Sequence, residues 1–322
     1  TASNNVAVGT SALTANTSGT DNVAVGDSAG DAVTTGSDNT FIGDNAGGAT
    51  TTASNNTAVG SSALLANTTG SDNDAFGYRA LITNTTGVNN TALGRDSMYA
   101  NTTGSRNVAV GYGTLDANTT ADYNVAMGEN ALGANTTGAS NVAVGYAALD
   151  ANTTASNNVA VGASSLGANT TGTRNTAIGT SSSVAITTGG NNTAVGYNTL
   201  STNTVGDRNV AVGEGALATY NPSSNEDSYN TALGFNALTA DTTGVQNTAV
   251  GALALDANTT ASNNVGVGYL ALSANTTGTD NVAVGSNALD ANTTTSRNTA
   301  IGDNTLGANT ADDNTAIGSN AL

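Results

Sequence analysis

The chain contains no histidine, no cysteine and no lysine. The first two absences exclude Ser-His and Cys-His catalysis, the common zinc ligand sets and any disulfide framework. The third excludes a Walker-type phosphate loop and Schiff-base chemistry. Paired carboxylates are the only catalytic groups left, so we expect a non-enzymatic protein with no cofactor and no metal centre.

Basic and apolar runs are also scarce. Only 9% of the residues are charged, the net charge is −17, and all six basic residues are arginines: Arg79, Arg95, Arg106, Arg174, Arg208 and Arg297. Binding to nucleic acid or to an anionic membrane surface requires clustered positive charge, so neither is expected. No apolar run approaches the roughly 18 residues of a membrane span, which predicts no membrane insertion in this segment.

A short motif, Asn-x-Ala-(Val/Ile/Leu)-Gly, recurs in 19 copies with a spacing of 17 residues, broken only by one step of 21 and one of 16. Four copies differ from it at one position, by Phe41, Phe76, Met127 and Gly266. A fixed period over a whole chain indicates a repeat architecture. We therefore predict an all-β parallel solenoid of 17-residue coils, in which residues 1–322 form one repeat domain of about 19 coils. Because the chain begins and ends inside a repeat, it is expected to be part of a longer fibre protein.

Positions within a coil are numbered here from its first asparagine, Asn141 in the coil 141–157. Positions 1–4 predict a short strand that ends at the glycine of position 5. Positions 8–11 are interpreted as a second short extended segment, since a helix is weakly supported between Gly, Asn and Thr breakers. Asn-Thr-Thr-Gly then predicts a turn. The residues expected to stack as ladders are Asn141, Val144, Gly145, Leu149 and Asn152, with the two asparagines forming amide ladders.

Two apolar sets are visible in each coil. Positions 2, 4 and 9 form one set, whereas positions 3, 8 and 11 lie on other faces. A coil this thin buries only one face of each strand, so the second face needs another chain. This patterning predicts a parallel homo-oligomer, with a broader single-chain solenoid as the alternative.

The run Asn-Val-Ala-Val-Gly-x-x-Ala-Leu resembles the head repeat of YadA-like trimeric autotransporter adhesins. Residues 90–104 and 230–244 resemble the Asn-Thr-Ala-Leu-Gly-x-x-Ala-Leu-x-x-Asn-Thr-Thr-Gly repeats of phage tail-fibre proteins. The resemblance covers the entire chain and implies a trimeric, left-handed β-roll without enzymatic activity, placed outside the cell, on a cell surface or on a virion. The adhesin repeat is shorter, which draws the likeness toward the tail fibres.

Position 6 varies most, and it carries several tyrosines that could stack on sugar rings; the simpler interpretation is that these rings cover the neighbouring glycine. A four-residue insertion at 220–229 is either a binding loop or an evolutionary remnant. The candidate surface-binding residues are Tyr78, Tyr112, Tyr146, Tyr197, Tyr269, Tyr220 and Tyr229.

The leading functional hypothesis is an extracellular fibre or adhesin rod that attaches to a cell-surface glycan or receptor. A self-assembling filament or sheath, in which the chain partners itself end to end, is the alternative. A third hypothesis, a glycan hydrolase, would require carboxylates such as Glu214 and Glu226. The aspartates are not periodic and the calcium-binding nonapeptide is absent, so an obligatory calcium site is not expected.

Overall fold

A computed structural model describes residues 2–225 and 227–321. Every coil contributes one three-residue strand, and no helix occurs in the described residues. The fold is therefore a parallel β-solenoid of 17-residue coils, as the repeat predicts. Contacts divide it into two compact units, Thr1–Asn157 and Asn158–Leu322.

The first unit contains nine strands. Their bounds are β1 (Val6–Val8), β2 (Val23–Val25), β3 (Thr40–Ile42), β4 (Thr57–Val59), β5 (Asp74–Phe76), β6 (Thr91–Leu93), β7 (Val108–Val110), β8 (Val125–Met127) and β9 (Val142–Val144). Consecutive strands pair in parallel with equal positions side by side, as between Met127 and Val144. Each of these pairs joins two coils of the stack.

The second unit contains ten strands. Their bounds are β10 (Val159–Val161), β11 (Thr176–Ile178), β12 (Thr193–Val195), β13 (Val210–Val212), β14 (Thr231–Leu233), β15 (Thr248–Val250), β16 (Val265–Val267), β17 (Val282–Val284), β18 (Thr299–Ile301) and β19 (Thr315–Ile317). The 21-residue and 16-residue steps keep the same register, because Val210 pairs with Thr231 and Thr299 with Thr315. The extra and missing residues therefore fall in the turns.

The interior is lined by positions 3, 8 and 9. In the coil 141–157, Ala143, Ala148 and Leu149 are fully buried. The grouping of position 9 with positions 2 and 4 is wrong, because alternate strand residues face opposite sides and the small alanine faces inward. The side chains of positions 2 and 4 point outward, and the position-4 residues Val8, Leu93 and Met127 remain 57%, 48% and 42% exposed.

The predicted second extended segment at positions 8–11 is not present. Residues 146–151 form turns instead, and Ala147 and Leu149 take left-handed φ values of 51° and 53°. Such a conformation costs roughly 1–2 kcal/mol per non-glycine residue. It is offset because position-9 leucines are buried and their amides bond to the next coil, as Leu132 N–H donates to the Ala148 carbonyl at 3.0 Å.

Glycines at position 9 reveal the same backbone. Gly30 and Gly47 have φ of 55° and 62° and replace the usual leucine in two neighbouring coils. The lost volume is filled by Phe41, which stands where other coils have alanine at position 3 and is fully buried. A Cβ on Gly30 would lie 2.7 Å from Cδ2 of that ring. The large and small residues therefore compensate each other in the core.

The asparagines of positions 1 and 12 form amide ladders in both units, although the position-12 row also contains the buried Val33, Thr50 and Ile186. Asn141 Nδ2 donates to Asn124 Oδ1 at 3.2 Å and to the Ala155 carbonyl at 2.9 Å. Asn152 Nδ2 donates to Asn135 Oδ1 at 2.8 Å and to the same Ala155 carbonyl at 3.1 Å. Each asparagine therefore ties its coil to the previous one and also holds its own last turn.

The glycine column at position 5 permits this close stacking. Gly145 has φ of 136°, and its N–H donates to the Met127 carbonyl at 2.8 Å. A Cβ on Gly128 would lie 2.7 Å from the carbonyl carbon of Gly145. Only glycine combines that φ with so short a distance between backbones.

The ladder at position 12 is interrupted in the second unit. Tyr220 takes the place of the asparagine and is fully buried, so its interpretation as a surface-binding residue is wrong. The physical reason is register: the insertion begins after this position and leaves Tyr220 in the inward-facing row. Its ring contacts the adjacent coil, where a Cβ on Gly206 would lie 2.8 Å from Cε1.

The next ladder residue is an aspartate, Asp241, which is also fully buried. Its Oδ1 accepts hydrogen bonds from the Gly244 amide at 2.9 Å and from Asn258 Nδ2 at 3.2 Å. Within the described chain its Oδ2 has no hydrogen-bond partner. Burial raises the pKa of the Asp241 carboxyl to about 8, against the lowering effect of those hydrogen bonds.

Candidate functional site

The residues at position 6 of successive coils, called column 6, form an exposed row beside the glycine column. Tyr78, Tyr112 and Tyr146 all belong to it and are about half exposed. Because β5–β9 pair without any shift, these rings lie on one side of the first unit, two coils apart. The sequence-based expectation of an aligned aromatic row therefore agrees with the geometry.

The remaining candidate tyrosines are dispersed over the second unit. Tyr197 and Tyr269 are exposed in column 6, four coils apart, and no described contact joins them. Tyr229 is exposed at position 17 beside the insertion, where the Arg208 guanidinium lies 5.8 Å from its ring centre. Arg208 also forms an ion pair with Asp227.

Arg95 occupies the first gap in the tyrosine row of the first unit, and Glu129 occupies the second. Arg95 lies between Tyr78 and Tyr112, with its guanidinium carbon 5.9 Å and 5.6 Å from the two ring centres. Arg79, at position 7, lies 4.9 Å from the Tyr78 ring and 5.0 Å from the Tyr99 ring. Contacts of this kind are favourable at roughly 0.5–1 kcal/mol each on a surface, and together they fix the rings.

A single carboxylate holds the two arginines. Asp96 Oδ1 accepts from Arg79 Nε at 2.8 Å, and Asp96 Oδ2 accepts from Arg95 Nε at 3.2 Å. The Asp96 side chain is only 14% exposed, and its hydrogen bond raises the pKa of the Arg79 guanidinium further above its usual value. Asp96 therefore positions both guanidinium groups before any ligand arrives.

A depression of about 220 Å³ opens beside this cluster. It is lined by Arg79, Asp96, Tyr99, Tyr112, Gly113, Asp116 and Asn130. Gly113 creates the space, because it lacks a side chain at position 7, where neighbouring coils carry Asp96 and Asn130. A Cβ on Gly113 would meet only Asn130 Oδ1, at 2.8 Å.

Asp116, at position 10, supplies a carboxyl group to the rim of the depression. Burial raises its pKa above the ordinary aspartate value, and the charges of Asp150 and Asp96 raise it further. The backbone amides of Asp116 and Ala117 act in the opposite direction. The depression thus combines two aromatic rings with a guanidinium, an amide and two carboxyl groups, and all of these groups can contact one small molecule.

Most of this cluster escapes the sequence analysis. Only Tyr112 is among the predicted residues; Arg79, Asp96, Tyr99, Gly113 and Asp116 are not. Two features of the sequence could have indicated the cluster. Positions 7 and 10 fall on the same turn as position 6, and tyrosines and arginines are enriched in residues 78–112. The side chains of positions 6, 7 and 10 come together only because positions 7 and 9 are left-handed, and these conformations were not predicted.

The other sequence-based candidates fall elsewhere. Glu214 is exposed in column 6 of the second unit, and Glu226 lies outside the described residues. Residues 2–225 and 227–321 contain no cluster of three acidic, histidine or cysteine side chains suited to a metal ion. They also contain no helix long and apolar enough to cross a membrane. Comparison with protein-family models and with curated proteins finds no significant match for this chain.

Proposed function

We propose that the chain is a non-enzymatic segment of an extracellular fibre or adhesin, a rigid β-solenoid that attaches to surfaces or host receptors on behalf of a cell or virion. The observation that carries the proposal is the contrast between interior and surface. All 19 coils begin with asparagine, whereas column 6 ranges over Thr, Asp, Ser, Tyr, Arg, Glu, Ala and Phe. A fixed frame with a varied, tyrosine-bearing surface is suited to recognition rather than to catalysis.

Self-association is the second part of the proposal. Position 4 is apolar in every coil and faces outward, and its most exposed members include Val8, Leu93, Met127, Leu233 and Ile317. An apolar row that is partly exposed in every coil is typical of an interface between chains. A parallel homotrimer, in which each chain covers the apolar row of its neighbour, would remove it from water.

The same row supports the alternative function, a structural filament or sheath in which coils of different chains join end to end. The two functions differ in what they require of the surface. A filament needs only repeated self-contacts, whereas an attachment rod needs an outer surface that binds a partner.

Adsorption to an immobilised panel of neutral, sialylated and uronic-acid glycans tests the attachment function. The expected result is saturable binding to a subset of the panel that is insensitive to EDTA. Binding to nothing on the panel, together with polymers that lengthen with protein concentration, would replace the attachment function with the filament.

A further inference from the structure

We propose that the depression around Gly113 binds one neutral hexopyranose residue of a surface glycan. This inference rests on the proposed attachment function and gives it a site and a ligand class. The site consists of the Tyr99 and Tyr112 rings, the Arg79 guanidinium, the Asn130 amide and the Asp116 carboxyl group.

The size of the depression selects a single ring. Its volume of about 220 Å³ is below the roughly 300–1,000 Å³ of pockets for drug-sized ligands. Its floor is the buried Gly113, and the coil on one side carries Asn130 at the same position. A longer glycan would place one terminal residue here and extend outward over the surface.

The aromatic rings provide the apolar contact that a pyranose needs. Tyr99 and Tyr112 come from adjacent coils and from different columns, positions 10 and 6. Each ring carries an arginine near one face, Arg79 at 5.0 Å and Arg95 at 5.6 Å, which fixes its orientation. Immobilised rings lose little conformational entropy when a sugar C–H face packs against them.

The polar groups match the hydroxyls of the sugar. Each hydroxyl both donates and accepts, and the site contains both kinds of partner. Arg79 has five N–H donors, and in the described chain only its Nε–H is engaged, with Asp96. Asn130 can donate and accept, and Asp116 can accept with a charge-assisted bond.

The charge of the site favours a neutral ligand. The guanidinium groups of Arg79 and Arg95 are balanced in number by the carboxyl groups of Asp96 and Asp116. The net charge of −17 opposes an anionic sugar. A cationic ligand would compete for aromatic faces that already lie beside Arg79 and Arg95. A neutral polyhydroxylated ring uses the donors and the acceptors together without either penalty.

The test is ligand-observed NMR, by saturation transfer from the 322-residue chain to methyl glucopyranoside, methyl galactopyranoside and methyl mannopyranoside. N-acetylneuraminic acid and choline serve as the anionic and cationic probes. We expect transfer to at least one methyl hexopyranoside and none to the charged probes. Tyr99→Ser and Gly113→Asn should each weaken binding by about tenfold or more, because one removes an aromatic contact and the other fills the depression.

Both substitutions have matched counterparts that protect the fold. Serine occurs naturally at position 10 as Ser201, and asparagine at position 7 as Asn130. The control is Gly215→Asn. Gly215 is also left-handed and also lies beside an asparagine, Asn236, but position 10 of the preceding coil is Ser201 instead of a tyrosine.

The outcomes distinguish failure of the proposed sugar site from failure of the proposed attachment function. Unchanged sugar binding in Gly113→Asn and Tyr99→Ser, or equal loss in Gly215→Asn, overturns the site. Preference for the anionic or the cationic probe overturns the ligand class, and so does the absence of transfer to all three hexopyranosides. If the chain still adsorbs to the glycan panel in any of these cases, the attachment function stands without this site.

Discussion

Two turns of the molecule share a backbone and differ in surface. Gly113 and Gly215 both occupy position 7 with φ of 58° and 66°, and each is followed one coil later by an asparagine. Around Gly113 the neighbouring positions hold Arg79, Asp96, Tyr99, Tyr112 and Asp116. The corresponding residues around Gly215 are Ser181, Asn198, Ser201, Glu214 and Ala218. The same coil geometry therefore presents a charged and aromatic depression in one place and a plain surface in the other.

The interior ladder also differs between the two turns: it is regular near Gly113 and irregular near Gly215. Beneath Gly113 the position-12 ladder is continuous, from Asn84 through Asn101 to Asn118. Near Gly215 it is interrupted by Tyr220 and Asp241. The comparison teaches that the ladder and the surface are independent: the interior sets the shape of the coil, and the outer columns determine what it can bind.

Breaking the intact ladder should have the largest effect. Asn101→Ala removes bonds of 2.9 Å to Asn84 Oδ1 and 3.0 Å to the Gly104 carbonyl, and it deprives Asn118 Nδ2 of one of its two acceptors. Because all these atoms are buried, we expect the free energy of unfolding to fall by about 3–5 kcal/mol. Urea unfolding followed by circular dichroism measures it. Asn309→Ala, in an exposed coil, is the control and should cost less than half as much.

Repairing the interrupted ladder should have the next largest effect. The folded chain holds the Asp241 carboxyl protonated up to a pKa of about 8, whereas the unfolded chain ionises it near its ordinary value of 3.8. The contribution of Asp241 to the free energy of unfolding is therefore greatest below about pH 4, falls as the pH rises from about 4 to 8, and is constant above about pH 8. Asp241→Asn should remove this dependence and raise the free energy of unfolding at pH 7 by about 2–4 kcal/mol.

Thermal unfolding of the wild type and Asp241→Asn between pH 4 and pH 9 provides the measurement. Asp280→Asn, at an exposed turn position, is the matched control and should not change the profile. Parallel curves for wild type and Asp241→Asn would show that the buried carboxyl does not govern the pH dependence.

Changing the two glycines should have little effect on stability in either place. Asparagine tolerates the left-handed conformation and already occupies position 7 at Asn130 and Asn236. We expect Gly113→Asn and Gly215→Asn to shift the free energy of unfolding by less than about 1 kcal/mol. Chemical denaturation of the two variants side by side measures the shift. A large loss in only one of them would mean that the two turns do not share a backbone.

The smallest effect is expected for the surface ion pair. Arg79→Ser converts the residue into its counterpart Ser181, and Asp96 keeps its bond to Arg95. Because the ion pair and the two cation–π contacts of Arg79 gain roughly what ordering its long side chain costs in conformational entropy, the free energy of unfolding should fall by no more than about 1 kcal/mol. A loss of several kcal/mol would mean that Arg79 is required for the stability of the coil stack. Arg95→Ser, which removes the other partner of Asp96, is the comparison variant.

Much of the fold follows from the sequence because its period is repeated so often. Asn141 and Asn152 stack as expected, and the strands lie at positions 2–4. Which strand face is buried could not be predicted. Valine and alanine are both apolar, so their alternation does not show which of them points into the interior. Nor did the left-handed Leu149, since leucine rarely adopts this conformation; the glycines Gly30 and Gly47 at the same position were the available evidence.

The candidate site was predictable only in part. Tyr112 could be found because column 6 repeats and varies. Arg79, Tyr99 and Asp116 could not, because positions 7 and 10 meet position 6 only when the turn folds through two left-handed residues. Tyr220 was misassigned because the insertion was expected to include it, at 220–229, whereas the ladder register continues through that residue.

The solution mass of the chain, measured by light scattering with and without EDTA, tests the account most directly, because the outward apolar row should be covered by other copies. We predict three times the chain mass of 31.1 kDa, unchanged by EDTA. The double variant Leu93→Asp with Met127→Asp, which places charges in that row, should give the mass of one chain while circular dichroism remains that of the wild type. A wild-type mass of 31.1 kDa would contradict the account.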